Sequence, residues 1–249
     1  MKILGMIVPG LNVLAEQDLH LMRPSDCWVA SSRYPFDQEG SFSSIEGAVA
    51  AAAPALVGMP LDQVDVLGYA CTAASFQHGR AAEAGLVAGV QHLAGAPIPV
   101  VTAAGGVARA LAALGAARAA LVTPYTDAHN ARLAGFLVDH GVEVVFSSGL
   151  QITVGEELSK VPLDTIRGRV AEAATHRPDL IVTPCTAFPV TTLIAELEAR
   201  HGIPIVAANQ AMLWAAARIA GSTATVDGYG ALWARPCPAP SDRPGVVAA

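Results

Sequence analysis

The chain has 249 residues, 53% of them hydrophobic and 14% charged, with a net charge of −6. That length holds one large domain or two lobes of about 110 residues each, and the acidic balance excludes a nucleic-acid partner, which needs a basic face. A membrane span is excluded too: it needs about 20 nearly uncharged residues, and the most apolar stretch, Ile98 to Tyr125, is broken by Arg109, Arg118 and paired glycines.

The opening MKILGMIVPG enters a strand pattern directly, with one lysine and no small-residue cleavage site. No signal peptide is expected, and the protein is placed in the cytoplasm. There Cys27, Cys71, Cys185 and Cys237 are expected as reduced thiols. No CxxC pair occurs, so neither a redox motif nor a zinc knuckle is indicated.

In chain order, Ile3 to Val8 reads as the first strand. Asn12 follows as an N-cap for a helix from Val13, with ligand binding equally open at that position. Cys27, before Trp28-Val-Ala, reads as a core cysteine. Tyr34-Pro35-Phe36 reads as a loop, with contact of Arg33-Tyr34 to an anionic substrate as the alternative, and Ser43-Ser44-Ile-Glu46 as the capping signal of a helix through Ala53. Further short apolar runs cover Val64 to Tyr69, Ile98 to Thr102, Ala119 to Thr123, Val142 to Phe146, Leu180 to Thr183 and Ile203 to Ala207. Alanine-rich helical patterns such as Gly105 to Leu114 and Val190 to Arg200 lie between them. The alternation predicts parallel sheet covered by helices. Gly141 and Gly202, each preceded by a histidine, mark helix ends, with His140 and His201 as C-terminal cations.

The chain also repeats itself. Asp65-Val-Leu-Gly-Tyr-Ala-Cys71-Thr72-Ala matches Asp179-Leu-Ile-Val-Thr-Pro-Cys185-Thr186-Ala. Ile98-Pro-Val-Val-Thr-Ala-Ala matches Ile203-Pro-Ile-Val-Ala-Ala-Asn209, and Met6-Ile-Val-Pro9-Gly-Leu-Asn12 matches Leu121-Val-Thr-Pro124-Tyr125-Thr-Asp127. The matched blocks occur in one order, which predicts two copies of an α/β unit. One lobe is expected from residues 1–103 plus 208–234, the other from 104–207, with 235–249 as a proline-rich, mobile or partner-contacting tail.

Each Cys-Thr pair then falls at the carboxyl edge of a sheet, where α/β folds bind ligands. Thr72-Ala-Ala-Ser75 and Thr186-Ala-Phe-Pro189 read as helix starts. Unpaired N–H groups there are expected to lower the thiol pKa and to hold a substrate carboxylate. Two thiols facing one cleft suit proton transfer or nucleophilic addition from opposite sides of a substrate. Tyr125, after Pro124 at a strand end, reads as a loop residue at the same cleft. His78, after Cys71, reads as a helix-surface residue. The histidines form no HxH or HExxH spacing, so no metal is expected. Lys2 and Lys160 are the only lysines and neither suits a Schiff base. No phosphate-cradling glycine motif occurs, so no cofactor is expected.

Gly-Tyr-Ala-Cys71-Thr-Ala-Ala-Ser, Val-Thr-Pro-Tyr125, Thr-Pro-Cys185-Thr-Ala, Asn12 and Ala-Asn209-Gln210 together resemble the aspartate/glutamate racemase superfamily. The likeness lies in its branch of maleate cis–trans isomerases and arylmalonate decarboxylases and runs to about Trp233. It implies an α/β fold of two pseudo-symmetric lobes, each with a four-stranded parallel sheet flanked by helices and with the active site in the cleft between them. It also implies a homodimer and a small carboxylate substrate. Carried over, Cys71 is the nucleophile and Cys185 the proton donor and acceptor. Asn12 and Tyr125 match positions that bind substrate carboxylates in that family; the hydroxyls of Thr72 and Thr186 add donors, and Asn209, equally open as a helix cap, completes the expected substrate-binding set. The decarboxylases of the branch carry glycine where this chain has Cys71, so two thiols favour a maleate-type isomerase. A racemase of amino acids or hydantoins comes next, then a decarboxylase, with a two-lobed ligand binder as the non-enzymatic alternative. Two departures stand out. Val154-Gly155 follow Leu150-Gln-Ile-Thr where the isomerases usually place an asparagine that contacts a carboxylate, and Ala73 replaces a serine.

Overall fold

A computed structural model describes residues 1–35 and 44–239. Phe36 and Ser43 of the expected loop and capping signal, and the tail beyond Ala239, lie outside the described residues. The first half runs β1 (Lys2–Pro9), α1 (Val13–Leu21), β2 (Cys27–Tyr34), α2 (Ile45–Val57), β3 (Val66–Tyr69), α3 (Thr72–Phe76), α4 (Gly79–Ala94), β4 (Val100–Thr102) and α5 (Ala103–Leu114). The second runs β5 (Arg118–Thr123), α6 (Asp127–Asp139), β6 (Glu143–Gly149), α7 (Leu163–Ala174), β7 (Leu180–Thr183), α8 (Ile194–His201), β8 (Ile205–Ala207) and α9 (Ala208–Ile219).

The strands form two four-stranded parallel sheets of the same winding, β2-β1-β3-β4 and β6-β5-β7-β8. β1, β3, β5 and β7 occupy central positions and are almost wholly buried, as continuous apolar runs in a parallel sheet should be. The edge strand β2 is the exception to the sequence reading. Its Ser31, Ser32 and Arg33 are only half-buried, so its composition carries no strand-like apolar run. Pairing with β1 from Lys2↔Cys27 to Pro9↔Tyr34 is what fixes it.

Close backbone approaches set the packing. A Cβ on Gly68 would lie 2.3 Å from the Met6 sulfur of the neighbouring strand. On Gly106 it would lie 2.7 Å from the Met212 backbone, so α5 can touch α9 only because that residue is glycine. α9 is buried along most of its length and packs on α5, β3 and β4. Gly141 and Gly202 take φ of 77° and 67° after their helices, as expected of left-handed caps. His140 is not the expected cation: burial pushes its imidazole down to about 4. Nor does the tail hang free at its start. Trp214 Nε1 donates to the Arg235 carbonyl at 3.0 Å, and Arg109 to that of Pro238 at 2.9 Å. Among the described residues no helix is long and apolar enough to cross a membrane.

Candidate active site

Both cysteines stand at the carboxyl edge of a central strand, Cys71 after β3 and Cys185 after β7. They are 6% and 5% exposed, and both line one cavity of about 220 Å³. Their local settings differ. Cys71 caps the short helix α3, and the backbone N–H groups of Ala74 and Ala73 favour its thiolate. The Tyr34 phenol, stacked on Tyr69 at 5.8 Å between centroids, adds to that support. Ser75 fastens the turn by donating to the Cys71 carbonyl at 2.9 Å and accepting from Ala104 N at 3.2 Å.

No helix begins at Cys185. Thr186 to Pro189 form a turn, which corrects the expected helix start. One backbone N–H, from Ala187, and the Tyr125 phenol favour the Cys185 thiolate. The expected lowering of the thiol pKa values is overturned as well. Desolvation outweighs these donors: the Cys71 thiol is raised, and that of Cys185 is pushed up to about 11. Charge on Cys71 adds to the burial that disfavours charge on Cys185, so two thiolates side by side are disfavoured.

Of the expected binding residues, Asn12, Thr72, Tyr125 and Thr186 line the cavity. Asn12 resolves its ambiguity by serving twice: Oδ1 accepts from Ala15 N at 3.0 Å as the cap of α1, and Nδ2 donates to Thr186 Oγ1 at 3.0 Å. The Thr72 hydroxyl is buried beside the Tyr125 phenol. The Thr186 hydroxyl is committed, accepting from Asn12 and donating to the Ala70 carbonyl at 3.3 Å. Asn209 does not line the cavity. It lies one layer behind, where Nδ2 donates to Asp18 Oδ2 and to the Thr186 carbonyl, both at 2.8 Å. Its block position placed it at the sheet edge without fixing where its side chain points. Two further residues, Tyr34 and Asp18, carried no motif; only tertiary contact brings them behind the thiols. His78 caps α4 and is not among the cavity residues.

The rest of the wall is mainly apolar, with Pro9, Leu11, Val13 and Leu158 around the mouth. Where the isomerase pattern would place an asparagine, Gly155 and Glu156 face the cavity. The cavity thus brings both sulfurs together with Asn12, Thr72, Tyr125 and Thr186 in a largely apolar wall. Among the described residues, no group of three His, Cys, Asp or Glu side chains is placed to hold a metal ion.

A family model described as arylmalonate decarboxylase matches residues 5–233. The arylmalonate decarboxylase of Bordetella bronchiseptica is 32% identical over 235 residues, covering 92% of this chain and 95% of that protein. A maleate isomerase of Pseudomonas putida is 27% identical over 240 residues, covering 92% and 96%. Among solved structures, the maleate isomerase Iso of Pseudomonas putida superposes with a TM-score of 0.83 at 25% identity, over 94% of this chain and 98% of that one. A liganded arylmalonate decarboxylase mutant, in which a glycine became cysteine and a cysteine became serine, superposes with a TM-score of 0.82 at 30% identity, over 93% and 98%.

Proposed function

The chain belongs to the arylmalonate decarboxylase family, and from that premise we propose that it is a cofactor-independent two-thiol isomerase of a small carboxylate, with maleate to fumarate as the leading case. One observation carries this reading: Cys71 and Cys185 line the same cavity beside the hydroxyl of Thr72 and the amide of Asn12. A decarboxylation that uses a single cysteine gives no task to the second sulfur.

The unequal settings support the roles that the family resemblance implies. Cys71, with two backbone N–H groups and a phenol supporting its anion, is the nucleophile; Cys185, with one N–H and a phenol, keeps its proton. The Cys71 thiolate forms a C–S bond to C2 of the alkene, and the π electrons move to C3. Cys185 gives its proton to C3 and becomes the thiolate. The C2–C3 bond is now single and rotates. Cys185 then takes a proton back from C3, the C–S bond breaks, and Cys71 leaves as thiolate from the trans alkene. One proton and one negative charge are shared throughout, which matches the mutual repulsion of the two thiolates.

Racemisation of a carboxylic acid with an apolar α-substituent is the second reading, favoured by the apolar Pro9, Leu11, Val13 and Leu158 that line the cavity. Incubation with maleate, aspartate, glutamate and an arylmalonate in D2O, followed by NMR, separates these outcomes. Fumarate supports isomerisation. Deuterium at an α-carbon without alkene change selects racemisation. Release of CO2 contradicts the role given to Cys71.

A further inference from the structure

Helix α1 opens at the cavity with Asn12 and carries, on its buried face, a carboxyl that the mechanism does not use. Asp18 is 2% exposed, and among the described residues it has no ion-pair partner. Its Oδ2 accepts from Thr191 Oγ1 at 2.7 Å and from Asn209 Nδ2 at 2.8 Å. The same Nδ2 donates to the carbonyl of Thr186, the residue after Cys185. At the same residue, Asn12 Nδ2 donates to the Thr186 hydroxyl.

The segment held this way has little order of its own. From Thr186 to Val190 it is turn and bend, with local bonds such as Phe188 N to the Cys185 carbonyl at 3.2 Å and Val190 N to the Phe188 carbonyl at 2.8 Å. A helix would fix Cys185 by its own backbone ladder; a turn depends on what grips it. Here α1 does so at two points, at Thr186 and at Thr191, and the second grip converges on one carboxylate oxygen.

We propose that Asp18 is a positioning residue for Cys185: acting through Asn209 and Thr191, it clamps the turn that carries this sulfur and so sets its distance from Cys71. Asp18 touches no substrate. An acceptor oxygen performs this task, so a neutral amide of the same shape can replace the carboxyl. The assignment deepens the two-thiol reading and rests on it for its catalytic consequence, although the clamp itself is independent of which substrate is turned over.

The test uses the full chain with Asp18→Ala, Asp18→Asn and Thr191→Val. Iodoacetamide alkylation of Cys185 and Cys71 is followed by peptide mass spectrometry, alongside kcat and KM for maleate. Asp18→Ala and Thr191→Val should shift the ratio of Cys185 to Cys71 alkylation by at least about fivefold and lower kcat by a comparable factor. Asp18→Asn should return both to the parent's values, a rescue that a need for negative charge would not give. A folded Asp18→Ala protein with the parent's alkylation ratio, or an Asp18→Asn protein that behaves like alanine, overturns the proposal. Should Asp18→Ala fail to fold, Thr191→Val decides by the same ratio. A parent that does not turn over maleate contradicts the leading substrate alone, because the alkylation ratio needs no turnover.

Discussion

The amide of Asn12 meets the hydroxyl of Thr186 at 3.0 Å, across 174 residues of sequence. That hydroxyl then donates to the carbonyl of Ala70, the residue before Cys71. One side chain thus ties together the wall of the first half, the turn bearing Cys185 and the turn bearing Cys71.

Thr186→Val removes the bridge while keeping its volume. The Asn12 amide and the Ala70 carbonyl lose a buried partner, at a cost of roughly 1–3 kcal/mol. The expected outcome is a lower melting temperature by calorimetry together with a fall in kcat, since both sulfur-bearing turns loosen at once.

Replacing either thiol removes one step of the chemistry and little of the packing. Cys71→Ala and Cys185→Ala should each lower turnover on the order of a thousandfold or more, with circular dichroism and melting close to the parent. Full activity in either variant, measured by fumarate formation, would remove the mechanism.

The Tyr34 phenol is buried between the Tyr69 phenol and the Cys71 sulfur, within reach of both. Its natural partner is the Cys71 thiolate. In a Cys185→Ala background, Tyr34→Phe should move the pH profile of Cys71 alkylation upward by roughly half a unit to one unit. An unchanged profile would leave the phenol without that role.

Burial raises both thiol pKa values, with Cys185 and the core residue Cys27 each near 11. The free enzyme therefore holds its thiols protonated at neutral pH, and kcat/KM should climb as pH rises past 8. Stability moves the other way. An unfolded thiol ionises near 8.5, so the unfolded chain gains charge first. The melting temperature should hold up to about pH 8 and fall between pH 9 and the folded value near 11. Melting curves across that window test the sign.

Desolvation pushes the Asp18 carboxyl up to about 6. Below the unfolded value the group is neutral in both states and carries no penalty; above about 6 it must be buried ionised. Asp18→Asn removes that cost and keeps the acceptor. Its stabilisation relative to the parent should be larger at pH 7.5 than at pH 4, by roughly 1–3 kcal/mol. Paired denaturant titrations at the two pH values check this.

The central strands were legible because a parallel sheet buries both faces, so Ile3 to Val8 and Leu180 to Thr183 read as plain apolar runs. The internal repeat located the two sulfurs at matching sheet edges. Edge strand β2 was not legible, because its half-buried serines and arginine follow no apolar pattern. The turn after Cys185 was misread as a helix start, since Thr-Ala-Phe-Pro189 resembles a first helical turn. A helix start lowers a thiol pKa, yet burial outweighs the backbone donors even at Cys71, where the helix is present. The family resemblance places Asn209 among the ligand contacts, yet its amide turns inward to Asp18. Asp18 itself sits in an ordinary helical stretch, and only contact with Thr191 and Asn209 gives it meaning.

The account depends on two sulfurs bordering one small space. Iodoacetamide alkylation followed to completion, with modified peptides counted per chain, measures that directly. A carboxamidomethyl group on one sulfur should obstruct the shared cavity and slow reaction at the other by at least about tenfold. Chains singly modified at Cys71 or at Cys185 should accumulate, with few modified at both. Independent alkylation of the two thiols at unchanged rates would contradict a shared site.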